Sequence, residues 1–229
     1  MIARIVRRAR QLRWLNVAVV NLRFLIGFAF VPAALKKVLD QPFTDPANRG
    51  RFHDFLHAFH ATGWFYAFVG IMQLTAAILL CTQRFATLGA VIALPILTAI
   101  TAFCWSTQVY PTASIATLMW LGTIGLLVWD LEKWRTVLAR DDRRSDVAIT
   151  PIEAPIDLTL WARCGAAIIA LYLGTALARG GVYRPRGIEL GEPAFYVLPA
   201  VMMLPIITFV IDQRRARGVT RARAASPGT

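Results

Sequence analysis

What the sequence has least of is charge, and above all negative charge. Only 17% of the 229 residues are Asp, Glu, Lys or Arg, against 57% hydrophobic, and 13 acidic residues face 25 basic ones. A soluble domain of this size needs a charged surface, so the composition points instead to a polytopic membrane protein. Histidine is almost missing: His53, His57 and His60 all fall in one stretch, FHDFLHAFHATGW, residues 52–64. Three cysteines, Cys81, Cys104 and Cys164, form no C-x-x-C motif. That excludes a redox dithiol and leaves them as small buried residues.

What is there, in quantity, is long apolar runs. Six approach the roughly 20 residues that a helix needs to cross about 30 Å of hydrocarbon: residues 16–39, 64–81, 85–105, 110–130, 158–178 and 194–211. Lipid offers no partner to a bare peptide group, so each run is expected to be an α-helix. No histidine lies inside a span, which removes the ligands of a membrane haem. No Asp or Glu lies mid-span either; Asp130, at the end of the fourth, is the nearest carboxylate. A carboxylate proton relay therefore lacks its parts. Pro95, Pro199 and Pro205 fall in spans, where proline is tolerated.

The basic residues set the orientation. With both termini inside, inner segments hold sixteen: five in 1–13, Arg84, five in 133–144 and five in 214–223. Outer segments hold seven: Lys36, Lys37, Arg49, Arg51, Arg179, Arg184 and Arg186. Positive residues stay on the cytoplasmic side, so the expected topology is N-in, C-in in a bacterial inner membrane. The net charge of +12 then reads as anchorage to anionic lipid headgroups. Nucleic acid is excluded as a partner, because no soluble basic face is present. Arg23 interrupts the first apolar run, and FVPAALKK offers no small-x-small cleavage site, so that helix is expected to stay in the mature protein.

The expected organisation is a four-helix bundle over residues 1–138, a cytoplasmic linker over 139–157, a transmembrane hairpin over 158–211 and a basic disordered tail over 212–229. Between the first two spans, Pro42, Pro46 and Gly50 predict a loop, followed by a short helix over 51–62. On that helix Phe52, Phe55, Leu56 and Phe59 share a flank, and the imidazoles form the neighbouring stripe. Three histidines at i, i+4 and i+7 raise a metal site. His53 and His60 are two turns apart, about 10.5 Å along the axis, so one ion takes two of them at most, with Asp45 or Asp54 to help. An interfacial helix with its imidazoles toward water and headgroups is the stronger expectation.

Intramembrane polar groups are costly and so are functional candidates. Asn16, Arg23, Gly27, Phe30, Ala34 and Lys37 share one face of the first span; Tyr66, Gly70, Gln73 and Ala77 share one face of the second. Small Gly27 and Ala34 predict a close helix approach beside Arg23. Arg23 and Gln73 lie at matching depths, roughly 12 to 14 Å from the inner ends, so they are expected to meet. The other partners open to Arg23 are backbone carbonyls, Asp130 reached by snorkelling, a lipid phosphate, or an anionic or quinone-like ligand. Arg163 is shallow enough to snorkel to the inner interface. Arg23, Gln73 and Lys37 are thus the candidate ligand-binding residues.

The segments LRFLIGFAFVPAALKKV and FVGIMQLTAAILLCTQRFATLGAVIALPIL resemble the DoxX-like family of small bacterial membrane proteins over residues 16–135. The family's first helix has Arg, Gly four on, Phe seven on, a small pair at ten and eleven, and Lys at fourteen; Arg23, Gly27, Phe30, Ala33, Ala34 and Lys37 match, with Ala34 where Gly is usual. In the second helix Gly70, AAILL and Arg84 match, but Gln73 replaces an acidic residue. The resemblance implies a four-helix core associated with quinone-linked oxidoreductases. The 158–211 hairpin lies beyond it, and nothing in the pattern bears on the histidines.

The leading expectation is an all-α polytopic bundle serving as a non-catalytic accessory or anchoring component of a redox or envelope complex. A quinone-linked oxidoreductase subunit, with quinone as its cofactor, is the first alternative. A small transporter or lipid-handling protein is the second; no inverted repeat or pair of interrupted helices marks a midplane site for it.

Overall fold

The computed structural model describes residues 2–131, 156–182 and 191–225, with side chains from residue 5 to residue 217. The helices are α1 (Ile2–Gln11), α2 (Arg13–Val38), α3 (Arg51–Ala61), α4 (Trp64–Cys81), α5 (Ala86–Ser106), α6 (Tyr110–Trp129), α7 (Leu158–Ala178) and α8 (Val197–Ala225), the last preceded by a 3-10 turn at Pro193–Tyr196. Among the described residues there is no strand. Six segments are long and apolar enough to cross a membrane: Arg13–Val38, Trp64–Cys81, Ala86–Ser106, Tyr110–Trp129, Leu158–Ala178 and Pro193–Arg217. The chain is an all-α, multi-pass membrane bundle.

Two boundaries differ from expectation. The first span begins at Arg13, where extended backbone at Leu12 separates it from α1. The last helix does not stop near residue 211 but runs to Ala225, so the part of the expected disordered tail up to that residue is helical. Arginine is a good helix former, and Asp212 and Arg215 are held by partners at the start of α7. Of the expected linker, only Ile156 and Asp157 lie among the described residues.

The helices meet through small residues, as the first face predicts. A Cβ on Gly27 would stand 2.8 Å from Cys81 Sγ, and one on Gly70 would stand 2.6 Å from Lys37 Cβ and 2.9 Å from the Ala34 carbonyl. These distances leave no room for a methyl group, so α2 and α4 pack nearly backbone to backbone. On α5, Gly89 closes on Leu80 N in the same way, at 2.9 Å. The α7 helix lies against both α2 and α4, with Gly165 seated on the Cys81 carbonyl. Across α5 and α6, the indole N–H groups of Trp105 and Trp120 donate to Thr117 and Thr98. Such bonds satisfy donors that lipid cannot. Large apolar side chains such as Leu118 and Met202 point away from the bundle, as lipid-facing residues should.

Side-chain contacts sort the connections into two ends. The basic end collects α1, the start of α2, the α4–α5 turn, the close of α6, the start of α7 and Asp212 of α8. The histidine end collects residues 39–63 and the close of α7, where Gln41 donates to the Gly180 carbonyl. Gln83 sits in the α4–α5 turn with φ +62°, a left-handed conformation that ends α4 and turns its side chain under the bundle.

Candidate functional site

At the basic end Arg23 is only 6% exposed and bonds to groups in the α4–α5 turn and at the end of α6. Its guanidinium donates to Gln83 Oε1 at 3.0 Å and to Asp130 Oδ2 at 3.1 Å. Asp130, 3% exposed, also accepts from the Thr87 hydroxyl at 2.7 Å and from Arg10 at 3.4 Å. Arg10 donates as well to the Trp129 carbonyl, one of the carbonyls left open at the end of α6. One carboxylate thereby gathers α1, α2 and α5 onto the end of α6. Gln83 completes the frame by donating to the Leu80 carbonyl at 3.2 Å.

Arg23 therefore takes Asp130 by snorkelling, and no hydrogen bond joins it to Gln73. The reason is chemical: hydrogen bonds between charged partners are roughly twice as strong as neutral ones, and a flexible side chain can travel to reach one. Gln73 is left 2% exposed on the α4 face, and its Oε1 has no hydrogen-bond partner.

A second network at the same end fastens the hairpin. Arg13 pairs with Asp212 at 2.6 Å, and Asp212 Oδ1 accepts the Asp157 N–H at 3.0 Å. Asp157 caps α7 by accepting the Leu160 N–H at 3.0 Å, and pairs with Arg215 at 2.6 Å. The Leu160 N–H, aided by Arg215, holds the Asp157 carboxyl below its ordinary value. Neither aspartate was singled out in the sequence. The signal for Asp157 was present, as an Asp set directly before an apolar run.

Replacing Asp157 by Ala is expected to cost about 1 kcal/mol, the usual worth of such a cap. Because the folded carboxyl is depressed, the benefit is full above the ordinary Asp pKa of about 3.9 and is lost as pH falls through the lower folded value. The Tm gap between wild type and variant in detergent should be constant near neutrality and close under strong acid.

At the histidine end each imidazole finds a different part of the preceding loop. His53 Nδ1 bonds to Thr44 Oγ1 at 2.6 Å, His57 Nε2 donates to the Asn48 carbonyl at 3.2 Å, and His60 Nε2 reaches the Asp40 carbonyl at 3.2 Å and its carboxylate at 3.1 Å. The imidazole stripe thus also fastens the loop. Among the described residues no group of three His, Cys, Asp or Glu side chains is placed to hold a metal. The loop folds over the helix and takes one nitrogen of each of His53, His57 and His60. Zinc titration of wild type and His57→Ala should give indistinguishable binding. On the other flank Phe55 packs on Phe103 at 4.4 Å and Phe59 stands edge-on to Tyr66 at 5.0 Å.

Lys37 is the penultimate residue of α2 and is 6% exposed. Its ammonium donates to the Ala33 carbonyl at 3.1 Å and lies 4.7 Å from the Phe43 ring centroid and 5.8 Å from that of Tyr66. Tyr66 is fixed by its hydroxyl, which donates to the Gln41 carbonyl at 2.8 Å. Lys37 and Arg23 lie fourteen residues apart on one helix, about 21 Å at 1.5 Å per residue. The three candidates therefore do not surround one head group: Arg23 belongs to the basic end, while Lys37 and Gln73 lie toward the other.

No protein-family model, no curated protein and no solved structure matches the chain.

Proposed function

We propose that the protein is a DoxX-like component of the bacterial inner membrane, oriented N-in and C-in, which anchors or assists a redox or envelope partner and is not itself catalytic. The observation that carries this reading is the commitment of Arg23. Arg23, a cation deep in a span, is engaged by Asp130 and Gln83, where it holds helices together. The basic end, with exposed Arg7, Arg8 and Arg84, would face the cytoplasm and contact anionic lipid headgroups. A quinone-linked oxidoreductase built on Arg23, Gln73 and Lys37 is less well supported, because the Arg23 and Lys37 side chains engage partners at opposite ends of α2.

The experiment is affinity purification in mild detergent, with identification of the co-purifying proteins and extraction of lipid-soluble cofactors. A stoichiometric redox or envelope protein is the expected result. Purified chain that retains quinone and turns over quinol unaided would overturn the reading.

A further inference from the structure

Two buried polar groups, Lys37 of α2 and Gln73 of α4, take no part in either ion network. An ammonium has three hydrogens to give. Lys37 gives one, to the Ala33 carbonyl, and none of the described carboxylates pairs with it. Its sequence neighbour Lys36 carries the same sign. The rings of Phe43 and Tyr66 offset part of the cost of burying a cation, but they supply no negative charge. Gln73 lies on the same α4 face as Tyr66 and Gly70, one turn further into the bundle, and its buried Oε1 lacks a donor. Between the two stands Gly70, whose missing side chain is what lets Lys37 lie against α4.

The unmet need of the ammonium describes one kind of head group, one that carries negatively charged oxygens. The depth of Lys37 says where such a group comes from. The penultimate residue of a membrane-spanning helix lies where hydrocarbon gives way to headgroups. The 40–48 loop above it is tied down at Asp40, Thr44 and Asn48 by the three imidazoles. Phe43 is thus part of a fastened roof.

We propose that Lys37 anchors a binding site for the anionic head, carboxylate or phosphate monoester, of an amphiphile held at the end of α2, beside α4 and under the 40–48 loop. Lys37 takes the charged oxygens, and Phe43 and Tyr66 flank them. The site goes beyond the anchoring role and does not depend on it: it concerns the opposite end of the bundle from the Arg23 clamp.

The test uses the full chain in a neutral detergent and four probes: laurate, dodecyl phosphate, dodecanol and inorganic phosphate. Laurate or dodecyl phosphate is expected to raise the Tm of wild type, dodecanol and inorganic phosphate are not, and Lys37→Met should abolish the response. The only lysines are Lys36, Lys37 and Lys133, so amine acetylation followed by peptide mass spectrometry reads the site without any substitution. A saturating acidic probe, at about ten times its Kd, should slow labelling of Lys37 about tenfold while leaving Lys36 unchanged. Equal shifts with dodecanol, or unchanged Lys37 labelling, would overturn the proposal. Inorganic phosphate acting as well as dodecyl phosphate would overturn the amphiphile and leave a free-anion site.

Discussion

Asp130→Asn is expected to destabilise the bundle by about 3–5 kcal/mol, the cost of removing one partner from a buried ion pair. The loss is large because the substitution leaves two guanidiniums, those of Arg10 and Arg23, without the carboxylate that both approach. It also replaces an acceptor of the Thr87 hydroxyl. Thr87→Val provides the scale: it removes one hydrogen bond from a charged acceptor and should cost only about 1.5–3 kcal/mol. Reversible unfolding in mixed micelles, followed by helix content, checks both. An Asp130→Asn loss no greater than that of Thr87→Val would mean that the ion pairs contribute nothing beyond the hydroxyl bond.

The second large effect is expected at Gly165, through packing rather than charge. A methyl group there would overlap the Cys81 carbonyl and stand 2.7 Å from both the carbonyl carbon and Phe24 Cε1. A helix backbone cannot yield cheaply, so Gly165→Ala must push α7 off α4 at a cost of about 3 kcal/mol, the upper end of ordinary overpacking. Gly174, on the same helix, has nothing within 4 Å of the corresponding position. Gly174→Ala should therefore be neutral or stabilise by about 0.5–1 kcal/mol through helix propensity. Comparing the two Tm values, together with protease sensitivity of the hairpin, separates a packing defect from a general intolerance of substitution. Equal behaviour of the two variants would contradict the close α4–α7 contact.

The six spans could be read from the sequence because hydrocarbon thickness fixes their length and composition, and local pattern suffices for both. The close α2–α4 face was also legible, since Gly27, Ala34 and Gly70 recur at helical spacing. The partner of Arg23 was legible only as one choice among several. A helical wheel gives the depth of a Cα, whereas a long side chain can reach a group well below it. Gln83 escaped notice because it lies in a turn, and its left-handed backbone, not any periodicity, aims its side chain. The loop over the histidines was hidden for a related reason. Their shared stripe was correctly placed on the helix, but nothing in the spacing told that residues 40–48 fold back over it. The helical course of α8 to Ala225 was hidden by a composition that reads as disorder, while the contacts that hold it, Asp212 with Arg13 and Arg215 with Asp157, are long-range.

The central claim is that Arg23 is a structural clamp. The measurement that tests it most directly is a double-mutant cycle on Arg23→Met and Asp130→Leu in detergent micelles. A clamp requires a coupling free energy well above the 0.5 kcal/mol or so within which independent sites add, in the range of about 1–3 kcal/mol. The double variant should then be more stable than the sum of the single losses allows. Additive losses would contradict the clamp and return Arg23 to the service of a ligand.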